Sequence, residues 1–144
     1  MNYEEAMNFI QNTNKFGSVL GLDNIKELLE RLGNPQDQLK VVHIAGTNGK
    51  GSVCAFLDSM LRMAGKKTGL FTSPHLITTT ERMKINGQNI SEEAFTEIFE
   101  ELLHVVKARE KAGHLHPTYF EWLYLMAMLW FGRQGIEYGI IETG

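Results

Sequence analysis

The sequence has one cysteine, no surplus of positive charge and no apolar run long enough to cross a bilayer, and each shortage removes a class of protein. Cys54 alone cannot close an internal disulfide, so the fold rests on its core. The opening Met1-Asn2-Tyr3-Glu4-Glu5 lacks the basic and apolar regions of a signal peptide, and with the lone cysteine it points to a reducing cytoplasm. The formal charge of −3 offers no basic field to a polyanion, so no nucleic-acid partner is expected. The most apolar stretch, Trp122 to Phe131, is about half the ~20 residues of a membrane span. It reads as a buried helix, and no membrane contact is expected. Neither repeats nor low-complexity linkers occur. What remains, 43% hydrophobic and 22% charged residues over 144 positions, is the composition of one soluble domain.

Periodicity supplies the elements. Tyr3 to about Thr13 reads as a short helix. Ile25, Leu28, Leu29 and Leu32 recur at helical spacing before Gly33 and Pro35. Lys40 to Ala45 is a short β-branched run leading into glycines, the mark of a buried parallel strand that ends in a functional loop. A helix follows, with Val53, Phe56, Leu57, Met60, Leu61 and Ala64 as its expected inward stripe, and Thr68 to Thr72 is a second strand. Strand, loop, helix and strand make a βαβ unit. Ser73 to Arg82 has no period and reads as an ordered loop at the strand's carboxyl end. Asn86-Gly87 between two short strands predicts a hairpin with a type I′ turn. Ser91 caps a helix whose buried face is Phe95, Ile98, Phe99, Leu102 and Val106. Thr118 and Glu121 have capping-box spacing ahead of a helix that is apolar nearly all round, and Glu137 to Ile141 is a third strand.

The chemistry is concentrated in Gly46-Thr47-Asn48-Gly49-Lys50-Gly51-Ser52, between strand and helix. Backbone amides converge there on a phosphate, the helix dipole adds positive potential, and glycines permit close approach. Lys50 would meet the β- and γ-phosphate oxygens as a point charge. The strict P-loop pattern has glycine where this chain has Ile44, and Ser or Thr where it has Gly51, with Ser52 one place late. A plain connecting turn is the bland alternative. The preceding strand, the lysine and the amphipathic helix together favour the phosphate cradle.

His43 to Val53 resembles the signature of folylpolyglutamate synthases, and Gly51 separates it from the related Mur ligases, which typically read G-T-N-G-K-T. Leu70 to Leu76 with Glu81-Arg82, Thr118-Tyr119-Phe120-Glu121 and Ile141-Glu142-Thr143-Gly144 resemble three further family blocks in the same order, although Thr143 stands where the family usually has valine. The resemblance runs from about Gly17 to the last residue. It implies a P-loop-type α/β fold, a parallel sheet flanked by helices as in the Mur ligase central domain, with residues 1–144 as the N-terminal part of an ATP-binding domain and the C-terminal domain outside the chain. It implies an ATP-dependent amide ligase, acting as a monomer, that adds L-glutamate to a folate carboxylate through an acyl phosphate. Dihydropteroate is a further acceptor in many bacterial relatives. A Mur-type peptide ligase and a non-catalytic nucleotide-binding module are the alternatives.

By the same resemblance ATP and magnesium are the cofactors, Lys50 is catalytic, Gly46 to Ser52 hold the nucleotide, Ser73 and Glu142 are magnesium ligands, and Arg82 and Phe120 touch substrate. Each has a plainer reading beside it: Ser73 as a turn serine, Glu142 as a solvated carboxylate, Arg82 as a surface arginine, Phe120 as core. His43 reads as a satisfied core histidine, Cys54 as a packing residue, and His75 stays open. His114, His116 and Glu121 lack the spacing of a zinc site. The chain alone is expected to be catalytically inert.

Overall fold

The computed structural model describes residues 1–13, 22–73 and 77–143. The chain divides into two units, Met1–Pro35 with Glu92–Leu129 and Gln36–Ser91 with Trp130–Gly144. The fold class is α/β. His75 lies outside the described residues.

The first unit is helical. It holds α1 (Tyr3–Gln11), α2 (Asp23–Arg31), α4 (Glu92–Lys111) and α5 (Tyr119–Arg133) as far as Leu129. Asn2 caps α1 with a reciprocal box to Glu5. The predicted α4 stripe of Phe95, Ile98, Phe99, Leu102 and Val106 is buried throughout. Phe9, Phe99 and Trp122 meet at centroid distances of 5.2 to 5.6 Å. Arg109, 3% exposed, is held by Glu27 at 2.6 Å. At the start of α5 the Thr118 amide donates to Glu121 at 2.9 Å and the Glu121 amide to the Thr118 hydroxyl at 3.2 Å, the predicted capping box.

The second unit is a sheet with α3 (Lys50–Met63) against it. Its strands are β1 (Lys40–Ile44), β2 (Thr68–Phe71), β3 (Met83–Ile85), β4 (Gln88–Asn89) and β5 (Tyr138–Glu142), in the order β1-β5-β2-β3-β4. β5 runs parallel to both β1 and β2 and lies between them. The β1-α3-β2 crossover therefore skips a strand. The middle of the three parallel strands is β5, whose Gly139 to Glu142 are all buried, while β1 takes the edge. The hairpin β3-β4 adds antiparallel to β2, so the sheet is mixed, with parallel strands only in its β1-β5-β2 part. Asn86 and Gly87 have φ of 48° and 80°, as a type I′ turn demands. Phe131 lies over Gly69 so closely that a Cβ there would stand 2.8 Å from the ring, which makes that glycine a packing requirement.

Two predicted burial patterns change. On α3 the buried positions are Cys54 and Asp58, with Leu57 and Leu61 packed on the core, while Val53, Phe56 and Met60 are 45%, 68% and 58% exposed. Asp58 draws this rotation, because its carboxylate accepts from the Thr68 hydroxyl at 2.5 Å and from Arg62 Nε at 3.0 Å. His43 is exposed and is no core residue, because β1 is an edge strand with one open face.

Candidate functional site

Register brings the chemistry to one edge. Ile44 pairs with Glu142 across β1 and β5, and Phe71 with Ile141 across β2 and β5, so the three parallel strands end at one level. From that edge the loop Gly46 to Gly49 leaves β1, Thr72-Ser73 leaves β2 and Thr143 leaves β5. The carboxyl edge of a parallel sheet is where ligands collect.

The loop enters α3 through Gly49 at φ 77°, after Gly46 at φ 148°, and α3 has no side-chain cap. The first helical bond there is Val53 N–H to the Gly49 carbonyl at 3.1 Å. Among the described residues no carbonyl or side chain accepts from the amides of Gly46 to Ser52. Thr47, Asn48, Gly51 and Ser52 are exposed, and Lys50, first residue of α3, is half-buried. A Cβ added at Gly46, Gly49 or Gly51 would meet nothing within 4 Å, so the space beside the loop is open. The result is a run of backbone donors without acceptors among the described residues at the positive end of a helix, an arrangement suited to an anion.

Glu142 is 7% exposed. Strand alternation puts it on the same face as Ile140, which packs with Cys54 of α3. Burial, and secondarily the negative charge of Glu142, push the Cys54 thiol up to about 11, so the thiol is protonated and serves as packing. Glu142 thus ends β5 level with Ile44, two residues before the loop opens at Gly46.

The antiparallel pairing of β2 and β3 continues past Phe71↔Met83, with the Thr72 amide donating to the Arg82 carbonyl at 3.0 Å. This places Arg82, 7% exposed, beside Ser73, whose hydroxyl accepts from Nη1 at 3.4 Å. The surface-arginine reading is thereby excluded for Arg82. Its neighbour Glu81 caps the preceding turn, accepting from the Ile77 and Thr78 amides at 2.9 and 3.0 Å.

A magnesium ion suits the donors present. Ser73 and Glu142 offer hard oxygen ligands, and the Ser73 hydroxyl keeps a lone pair beyond its long contact to Arg82. One carboxylate and one hydroxyl, completed by phosphate and water, match the habits of this cation. No cluster of three or more His, Cys, Asp or Glu side chains able to hold a metal occurs among the described residues.

Phe120 belongs to the helical unit, where its ring stacks on Tyr124 at 6.5 Å and 14°. Burial raises the Tyr124 phenol above its ordinary value. His114, His116 and Glu121 line a cavity of about 290 Å³ in that unit with Arg109, and His116 Nε2 lies 3.2 Å from Glu110. Sequence reading missed three features. Thr78 and Glu81 have the same spacing as Thr118 and Glu121 and were legible as a cap. The Asp58–Thr68 bond and the 2.5 Å bond between His43 Nε2 and Thr143 Oγ1 join residues 10 and 100 apart in the chain, from different elements, and no local signal announces them.

No protein-family model matches the chain. Its sequence is 41% identical over 143 residues to a Bacillus subtilis protein named dihydrofolate synthase/folylpolyglutamate synthase, covering 99% of this chain and 33% of that protein. A folylpolyglutamate synthase structure from Thermotoga maritima matches with a TM-score of 0.91 at 34% identity, over 99% of this chain and 33% of that one. A structure described as an FPGS-AMPPCP-folate complex matches with a TM-score of 0.91 at 29% identity, over 100% of this chain and 35% of that one. The chain thus spans about a third of the length of each of these three relatives. No helix among the described residues is long and apolar enough to cross a membrane.

Proposed function

We propose, from a chain whose kinship is with the folylpolyglutamate and dihydrofolate synthases, that it forms the nucleotide-holding front of an ATP-dependent carboxylate–amine ligase. The carrying observation is the run of amides from Gly46 to Ser52 that finds no acceptor among the described residues, at the start of α3, with the buried Glu142 ending the neighbouring strand.

The amides grip the β- and γ-phosphates of ATP, and the Lys50 ammonium neutralises charge as the terminal phosphoryl group leaves. Ser73 and Glu142 would hold magnesium, which would supply positive charge to offset that of the phosphates. A folate carboxylate is a poor electrophile. Its oxygen takes the phosphoryl group to give an acyl phosphate, and the amine of glutamate displaces phosphate to form the amide. Arg82 is suited to a substrate carboxylate, and its fixed place beside Ser73 supports that role. Phe120 offers an aromatic face for a pterin ring. The relatives are about three times as long or longer, so the complete reaction belongs to the whole protein, acting as a cytoplasmic monomer, and this chain alone is expected to be inert.

The test is ADP formation by the whole protein. ADP should appear only when folate and glutamate are both supplied, and Lys50→Ala should abolish it. ADP formation indifferent to folate and glutamate would favour a nucleotide-binding module without ligation. Dependence on a peptide precursor in their place would favour a Mur-type ligase.

A further inference from the structure

Glu142 is the last residue of β5, and a strand end is free to turn unless something pins it. Two bonds pin this one. The Thr143 amide donates to the Ile44 carbonyl at 3.0 Å, carrying the β1-β5 ladder one residue beyond Glu142. The Thr143 hydroxyl shares a 2.5 Å hydrogen bond with His43 Nε2. His43 pairs with Ile141 in the register, so alternation puts His43, Ile141 and Thr143 on one face of the sheet and Ile44, Ile140 and Glu142 on the other, toward α3. The side-chain bond thus clamps the backbone from behind while the carboxylate points forward.

We propose that His43 is a positioning residue: through Thr143 it fixes the end of β5 and so holds the Glu142 carboxylate toward the phosphate loop. This rests on reading Glu142 as the carboxylate of the nucleotide site. His43 itself sits on the face away from α3 and its loop, and acts only through its partner. Residues 100 apart in sequence share this bond, so it forms only when β1 and β5 are in register. The hydroxyl explains why threonine serves at a position where an apolar β-branched residue would satisfy the strand equally well. Valine there would keep the shape and lose the clamp.

The experiment uses the 144-residue chain with His43→Ala, His43→Gln, Thr143→Val, Thr143→Ser and the double variant His43→Ala/Thr143→Val. Three-bond couplings of Glu142 report its χ1 rotamer, amide hydrogen exchange reports the Thr143 N–H, and electron paramagnetic resonance reports Mn2+ affinity with ADP present. Thr143→Val and His43→Ala should each average the Glu142 rotamer, speed Thr143 exchange and weaken Mn2+ binding about three- to tenfold, the range of a net hydrogen bond. The double variant should be no worse than either single one, because the pair acts as a unit. Thr143→Ser and His43→Gln, which keep bonding groups, should restore the rotamer. An unchanged Glu142 rotamer and Thr143 exchange in His43→Ala overturns the clamp, whatever Mn2+ does. Additive losses in the double variant overturn it as well. Glu142→Gln separates the two claims: if it leaves Mn2+ affinity intact, the ligand reading of Glu142 fails, while the rotamer and exchange data still decide the clamp.

Discussion

The two ends of the sheet treat their polar groups in opposite ways. At the amino end Asp58 accepts from Thr68 and Arg62, the Thr68 amide donates to Asn86, the Asn86 amide returns the bond to the Thr68 carbonyl at 2.9 Å, and Lys67 caps the Gln134 carbonyl. At the carboxyl end the amides of Gly46 to Ser52 have no acceptor among the described residues, and two loop glycines hold positive φ. Both ends carry the same kinds of group. The first end spends them on itself and so is structural; at the second, bonds such as His43–Thr143 and Arg82–Ser73 fix the strand ends while the loop amides are left for something that comes from outside. Stability should accordingly reside at the first end, and ligand affinity at the second.

Asp58→Ala is the strongest way to break that division. It leaves the buried Thr68 hydroxyl without its acceptor and Arg62 without its carboxylate, which should lower unfolding stability by about 3 kcal/mol in urea melts. Mg-ATP affinity should stay within about twofold. Loss of affinity in a variant that is still folded would show that the ends are not independent. Lys50→Ala is the converse. A charge-assisted contact is worth about 1.5–3 kcal/mol, so nucleotide binding should weaken tenfold or more by calorimetry, with the urea midpoint unmoved.

A smaller effect sharpens the contrast. Gly49→Ala puts a Cβ into open space at φ 77°, so its cost is conformational alone, about 1 kcal/mol in a urea melt. At neutral pH the smallest effect is at Cys54, whose thiol is raised from 9.0 to about 11. The folded state then holds the proton more tightly, so the stability this lends is full below pH 9 and falls as pH rises through about 11. Thermal melts of wild type against Cys54→Ser should diverge in that direction and no other. Alkylation of the native thiol near pH 8 should be slow.

Much of this fold was legible because its signals are local. The Asn86-Gly87 turn, the Thr118–Glu121 cap and the α4 stripe all lie within a few residues, where propensity and periodicity act. Non-local competition decided the rest. The α3 stripe was misread because a buried aspartate does not count as an inward residue in a hydrophobic pattern, yet Asp58 pairs with Thr68 across the crossover and turns Phe56 and Met60 outward. His43 was misread because a β-branched run shows a strand without showing whether it is central or at an edge. At the site, the loop and its glycines declared themselves, while the burial of Arg82 against Ser73 depends on hairpin register.

The central claim is that main-chain amides and one ammonium group hold a triphosphate where β1 gives way to α3. Nitrogen-15 spectra of the chain titrated with Mg-ATP test it most directly. The largest amide shifts should fall on Gly46 to Ser52, with Glu142 moving as magnesium is added and Asn86 and Thr68 remaining still. Saturable binding that moves the Thr68 end or the helical unit, and leaves Gly46 to Ser52 unchanged, would contradict it.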